Sequence, residues 1–211
     1  MEFWSQLEAV RERHDVLTHS FYQRWSAGEL TREELAVYAG QYRHAVVALA
    51  EAAAGAARAA DPKLRAQLEA HAAEEASHIP LWDGFARAVG GDPATLPAPE
   101  TRDCARAWAG DGERPLLHSL VALYAIESGQ PAISETKLAG LREHYGIDGA
   151  EATAYFDLHG ELDHEHAAAE RELIEERLDG ADADALLAEA ESVLRANWRL
   201  LDGVERINSN G

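Results

Sequence analysis

The sequence predicts an all-α fold, a bundle of seven to eight helices forming a single domain over residues 1–211. Three observations predict it. Ala, Leu, Glu and Arg dominate the chain, and these are strong helix formers. Strand-type runs of Val, Ile, Thr and aromatic residues are absent. Long stretches with apolar residues at helical spacing are punctuated by Gly, Pro and capping residues.

Residues 3 to 27 read as helical, in two pieces, with Phe21, Tyr22 and Trp25 crowded together and Gly28 as the stop. Core packing is the ordinary role of such an aromatic group. Thr31 and Glu34 form a capping box that opens a helix running to about Ala60, carrying Tyr38, Tyr42, His44 and Glu51. Glu51 is either solvated or turned inward. Asp61-Pro62 reads as an N-cap with Pro at the first helical position, opening a helix to about Val89. Residues 90–99, rich in Gly and Pro, form the clearest loop. It joins two halves of one bundle, because neither half alone carries a complete set of chemistry-bearing residues.

A helix near 100–110 and a Gly112/Pro115 turn follow. The next helix, 115–127, is apolar almost all round, which marks it as buried, and Glu127 sits at its end. A carboxylate on the most buried helix is costly unless it meets a cation or a metal; the alternative is that Glu127 emerges at a surfaced helix end, near Gly129 and Pro131. Residues 132–145 form a helix with Lys137, by default a solvated lysine. Gly146 and Gly149 bracket a turn, a helix continues to about Leu178, and Asp179-Gly180 breaks it. The last helix, about 182–207, shows a regular apolar stripe, and the tail from Asn208 is expected to fray.

Composition narrows the function. The net charge of −19 repels phosphate backbones and anionic headgroups, so nucleic acid and membrane are poor partners. No apolar run is long enough to span a bilayer, and residues 1–4 lack the basic and apolar regions of a signal peptide. A single cysteine, Cys104, excludes an internal disulfide and fits a reducing cytoplasm. It reads as a small buried hydrophobe before it reads as a nucleophile.

The chemistry concentrates in H-G-E-L-D-H-E-H, residues 159–166. At about 3.6 residues per turn, His159, Asp163 and His166 fall within a wedge of about 60°. Glu161, His164 and Glu165 point elsewhere. Two imidazoles and a carboxylate suit a first-row transition metal better than Ca²⁺ or Mg²⁺. On the earlier helix Glu75 and His78 stand at i, i+3 and Glu74 and His78 at i, i+4, so each pair shares a face. E-x-x-H is the spacing by which carboxylate-bridged dimetal bundles present ligands, which favours Glu75 over Glu74. His71 lies two turns before His78 and reads as a surface or outer histidine. Glu75, His78, Glu127, His159, Asp163 and His166 together suit two divalent metals with positions left for O₂.

The order E-x-x-H, then E, then H-x-x-x-D-x-x-H resembles the heme-oxygenase-like dimetal oxidases, whose fold is similar to that of the thiaminase (TenA) and PQQ-synthesis proteins. His78-Ile-Pro-Leu-Trp82, Tyr124-Ala-Ile-Glu-Ser128 and Tyr155-Phe-Asp-Leu-His159 agree in context, and H-S-F-Y-Q-R-W-S-A-G-E-L-T-R-E-E-L, residues 19–35, is similar to the opening of the chlamydial branch that makes p-aminobenzoate for folate. The similarity runs through almost the whole chain. It implies a self-sacrificing reaction, in which Tyr22 supplies the ring and Lys137 the amino nitrogen. It implies an Fe/Fe or Mn/Fe pair, O₂ and an external reductant, with Tyr38, Tyr42 and Tyr155 as relays or substrates. A reductase and a second copy of the chain in a homodimer are the protein partners entertained. Two departures stand out. The family has more residues between its paired glutamates and the helix histidine, and a tyrosine where this chain has Ile126. Another oxidase of this scaffold, acting on an amino or fatty acid, would use the same ligands. A thiaminase-type activity would need Cys104 near the carboxylates, and a non-enzymatic partner-binding bundle would need no metal.

Overall fold

The computed structural model describes residues 2–209, and the described residues form nine α-helices and no strand. They are α1 (Glu2–Arg13), α2 (Ser20–Ser26), α3 (Arg32–Ala59), α4 (Arg65–Ala88), α5 (Pro99–Ala109), α6 (Leu116–Glu127), α7 (Gln130–Glu143), α8 (Ala150–Glu175) and α9 (Ala183–Ser209). A short 3-10 turn, Val16–Thr18, separates α1 from α2, so the N-terminal segment is indeed in pieces.

Local chemistry sets most boundaries. The Thr31 side chain accepts from the Glu34 N–H, and the Glu34 carboxylate accepts from the Thr31 N–H, closing the expected capping box at the head of α3. The start of α4 differs from expectation. Asp61 accepts from the N–H groups of Lys63 and Leu64, which spends the Asp-Pro signal on a turn, and the helix begins only at Arg65. The chain end also differs: α9 continues through Asn208 to Ser209, and the final two residues of the expected frayed tail lie outside the described residues. Glu51 is exposed.

The core is built around α3, α4, α6 and α8. α3 packs on α4 and α5, α4 on α8, α8 on α6 and α7, and α9 closes the bundle against α5, α6, α3 and α1. Every residue of α6 from Ser119 to Glu127 is buried, as its all-round apolarity requires. The Trp82 indole donates to the Ala39 carbonyl at 2.8 Å and ties α4 to α3. Gly84 then admits the start of α8: a Cβ there would meet the Glu151 carbonyl oxygen at 2.8 Å. Cys104 is buried and makes no disulfide, and burial pushes its thiol upward, so it serves as a hydrophobe. Among the described residues no helix is long and apolar enough to cross a membrane.

Candidate metal centre

Two helices present matched stripes. On α4 the face runs Leu68, His71, Glu75, His78, Trp82, Phe85, and on α8 it runs Phe156, His159, Asp163, His166, Glu170, Leu173. Steps of three and four keep each series on one side of its helix. The helices run antiparallel. His78 faces His159 with ring centres 4.7 Å apart, His71 faces His166 at 4.3 Å, and Trp82 faces Tyr155 at 4.9 Å. Glu127 enters from the end of α6 and is fully buried.

The donor atoms fall into overlapping groups, each lying within 4.8 Å: Glu75, His78 and His159; His71, Glu127 and His166; and Glu75, Asp163 and His166. His159 Nδ1 lies 2.9 Å from Asp163 Oδ2, and its other ring nitrogen, Nε2, is buried without a partner. His166 is held the other way round. Its Nε2 pairs with Glu74 at 3.2 Å, while Nδ1 points at Glu127 Oε2, 3.4 Å away. The geometry therefore brings Glu75 into the cluster and leaves Glu74 at its rim, orienting an imidazole. His78 Nδ1 lies 3.3 Å from Glu75 Oε1, and His71 Nε2 lies 3.4 Å from Glu127 Oε1.

Buried polar atoms ordinarily find hydrogen-bond partners. Here His71 Nε2, Glu75 Oε1, His78 Nδ1, both Glu127 oxygens, His159 Nε2 and His166 Nδ1 are buried without one. They converge on one interior volume, and nitrogen-plus-carboxylate sets of this kind suit divalent iron or manganese. The residues present fit such ions.

The charge distribution agrees. Burial opposes the imidazolium of His166, but Glu127 and then Glu75 overcome it and raise its pKa to about 9. Burial likewise opposes charge on His71, and Glu127 again wins, raising the pKa. Asp163 rises to about 8 through burial and the neighbouring Glu127 and Glu75. Burial lowers His159 to about 4. Burial works against ionised Glu127, but His166 and His71 outweigh it and hold its pKa down.

Beside the cluster lies a second constellation. Lys137 is fully buried, and its Nζ has no hydrogen-bond partner. That atom sits 4.7 Å from the ring centre of Tyr42, 5.2 Å from Phe156, 5.3 Å from Trp82, 5.6 Å from Tyr38 and 5.8 Å from Tyr22. Such a cage favours a cation through its π faces but removes water, and burial lowers the pKa to about 7. Lys137 is thus not the solvated residue that its lone position suggests. The Tyr22 and Tyr38 hydroxyls share a hydrogen bond at 2.9 Å. Rings then continue from Tyr38 to Trp82 at 6.0 Å, from Trp82 to Tyr155 at 4.9 Å, and from Tyr155 to His159 at 4.1 Å.

Two residues escaped the sequence argument. His71 is a half-buried member of the cluster, not a surface histidine, and its place on the α4 stripe was the available signal. Glu170, one turn past His166, is 3% exposed with both carboxylate oxygens unpartnered. Burial, then Glu127, Asp163 and Glu75, push its pKa well above the carboxylate range. A cavity of about 190 Å³ on the α1 and α9 side, lined in part by Trp108, Ile126 and Asn197, reaches none of these donors.

An all-helical bundle with a buried carboxylate–imidazole cluster and an adjoining ring of oxidisable side chains has the parts of a metal-dependent redox protein. The match to the family described as iron-containing redox enzyme covers residues 36–198. The chain belongs to that family and is an enzyme of it. It is 35% identical to the 4-aminobenzoate synthase of Chlamydia trachomatis, over 96% of this chain and 91% of that protein. A TenA homologue from P. horikoshii superposes with a TM-score of 0.78 at 15% identity, over 97% of each chain. A Shewanella denitrificans domain with a heme oxygenase-like fold gives 0.76 at 18% identity, over 99% of this chain and 90% of that one.

Proposed function

We propose that the protein is an oxygen-dependent 4-aminobenzoate synthase that consumes itself, taking the aromatic ring from Tyr22 and the amino nitrogen from Lys137. The observation that carries this reading is the burial of the Lys137 amine, without a hydrogen-bond partner, in a cage that holds Tyr22 at 5.8 Å together with the nearer rings of Tyr42 at 4.7 Å and Tyr38 at 5.6 Å, among which the similarity to the chlamydial synthase selects Tyr22. The π faces of the cage offset only part of the cost of burying an amine without a hydrogen-bond partner, and burial still lowers its pKa to about 7. Similarity to the chlamydial synthase supports the same assignment.

Glu75, His78 and His159 would hold one divalent ion and His71, Glu127 and His166 the other, with Asp163 between them and Glu74 steadying His166 from outside. An Fe/Fe or Mn/Fe pair bound there, with O₂ and electrons from an external reductant, supplies the oxidising power. The chain's own residues do the rest. Tyr155, Trp82 and Tyr38 space aromatic rings between His159 and Tyr22 closely enough for oxidation to be passed along them. Burial keeps the Tyr22 and Tyr38 phenols protonated, and the hydrogen bond between them lets a Tyr38 phenoxyl, once formed, take a hydrogen atom from Tyr22 and leave the radical there. Only a neutral amine has a lone pair to form the new ring C–N bond; in exchange the ring C–O bond, the Lys137 Cε–N bond and the Tyr22 Cα–Cβ bond must break, with O₂ as the oxidant that takes Cβ to the carboxylate. With a pKa near 7, Lys137 is neutral in a large fraction of molecules at physiological pH. The closed cage keeps water from competing.

The test is rescue of a p-aminobenzoate auxotroph by wild type, Tyr22→Phe and Lys137→Ala, with mass spectrometry of the recovered protein. Rescue by wild type alone, with mass lost at Tyr22, is expected. Aminobenzoate production that leaves Tyr22 intact would overturn the self-sacrificing assignment.

A further inference from the structure

Glu170 lies outside the three donor groups, and its surroundings are anomalous. It continues the α8 series His159, Asp163, His166 by one further turn on the same inward face. It is 3% exposed, and neither carboxylate oxygen has a hydrogen-bond partner. The groups that dominate its electrostatic surroundings are Glu127, Asp163 and Glu75, all carboxylates. A carboxylate placed so is stable only with a cation or a bound proton.

At the neighbouring end of the cluster His71, Glu127 and His166 provide two imidazoles but a single carboxylate. Charge gives the same answer. Two divalent ions carry four positive charges, whereas Glu75, Glu127 and Asp163 return three, and neutral imidazoles return none. Glu170 supplies the fourth.

We infer that Glu170 is a further oxygen donor of the metal centre, serving the divalent ion on the His71–Glu127–His166 side. Its carboxylate stands outside the donor groups that lie within 4.8 Å, so a rotation of its side chain would be needed to bring it to the ion. This rests on the dimetal reading, and the experiment separates the two.

Metal-free full-length protein is titrated anaerobically with Co²⁺ and with Mn²⁺. Affinity is read by competition with a chromophoric chelator, and stoichiometry by elemental analysis after desalting. The proteins are wild type, Glu170→Gln and Glu170→Asp, each checked for helicity by circular dichroism. Gln copies the shape and hydrogen-bonding of a protonated Glu, so it spares the fold if the residue merely stores a proton. Wild type is expected to bind two equivalents. Glu170→Gln is expected to keep one tight ion and to weaken the other by at least about 10- to 100-fold, the scale of loss when a metal site's supporting groups are removed. Glu170→Asp, which retains charge with a shorter reach, falls between.

Wild-type affinity for both ions in Glu170→Gln would overturn the inference and leave the dimetal reading standing. A single ion in wild type, still weakened by Glu170→Gln, would support Glu170 as a donor and overturn the pair. No metal in wild type would overturn both.

Discussion

The ring of Tyr155 lies on the imidazole of His159, with centres 4.1 Å apart and planes tilted by 33°. Tyr155 also meets Trp82 edge to face at 4.9 Å. It therefore links the candidate metal-binding face of α8 to the aromatic cage around Lys137. Phenylalanine keeps the shape but is far harder to oxidise. If oxidation passes through this ring, Tyr155→Phe retains wild-type metal content and thermal stability while aminobenzoate yield per chain falls at least about tenfold, a barrier change of about 1.4 kcal/mol. Unchanged yield in a fully metal-loaded variant would remove Tyr155 from the route.

Lys137 makes stability depend on pH in a direction that can be worked out. Its folded pKa, about 7, lies below the unfolded lysine value of about 10.4. The unfolded state therefore binds more protons between those values, and stability is lost as pH falls from the unfolded pKa toward 7. For this fully buried group the loss is on the order of 4 kcal/mol. Lys137→Met fills similar volume without a charge. Urea unfolding should show the variant more stable than wild type at pH 7, with the gap narrowing toward pH 10. A gap that is constant over that range would mean that the amine does not change protonation on folding.

Metal uptake should release protons. Glu127 and Glu75 hold His166 at about 9 against the effect of burial, so at pH 7.5 the metal-free protein carries an imidazolium where a neutral donor is needed. Isothermal titration of Mn²⁺ in buffers of different ionisation enthalpy should reveal proton release, and affinity should rise with pH up to about 9. A binding heat independent of buffer would exclude His166 as a displaced-proton ligand.

Much of this centre was legible in the sequence because helical spacing converts directly into shared faces. Glu75 and His78, and His159, Asp163 and His166, lie on the faces that their spacings imply, and Glu127 is buried as its apolar helix demands. His71 was missed although it obeys the same rule, since two turns back is the same face. Without the antiparallel partner His166 at 4.3 Å, nothing on α4 alone distinguishes it from a solvated histidine. Glu170 was lost among the acidic residues of α8 for a similar reason: its anomaly is the absence of a partner, which only the packed structure reveals. The direction of Lys137 could not be projected through Pro131, which falls within the first turn of α7. The start of α4 failed because Asp61-Pro62 can open either a helix or a turn, and here the Asp61 side chain bonds within the turn.

The depth at which Lys137 enters the cage is set one turn further along α7. Gly140 packs on Trp25, where a Cβ would meet the indole Cδ1 and Nε1 at 2.5 Å, while that same Nε1 donates to the Lys137 carbonyl at 3.3 Å. Trp25 is fully buried between Tyr38 and Tyr145 and has little freedom to withdraw. In Gly140→Ala the backbone of α7 must retreat from α2, carrying Lys137 away from Tyr22. Alanine is the better helix former, so local propensity favours the variant by up to about 1 kcal/mol, whereas overpacking costs about 1–3 kcal/mol. A net loss of stability is therefore expected, seen as a lower urea midpoint. The proposed metal donors reside on α4, α6 and α8, so metal stoichiometry should be unchanged while aminobenzoate yield drops severalfold. Loss of metal together with yield would show that α7 supports the whole centre. Full yield at reduced stability would show that the distance from Lys137 to Tyr22 does not limit the reaction.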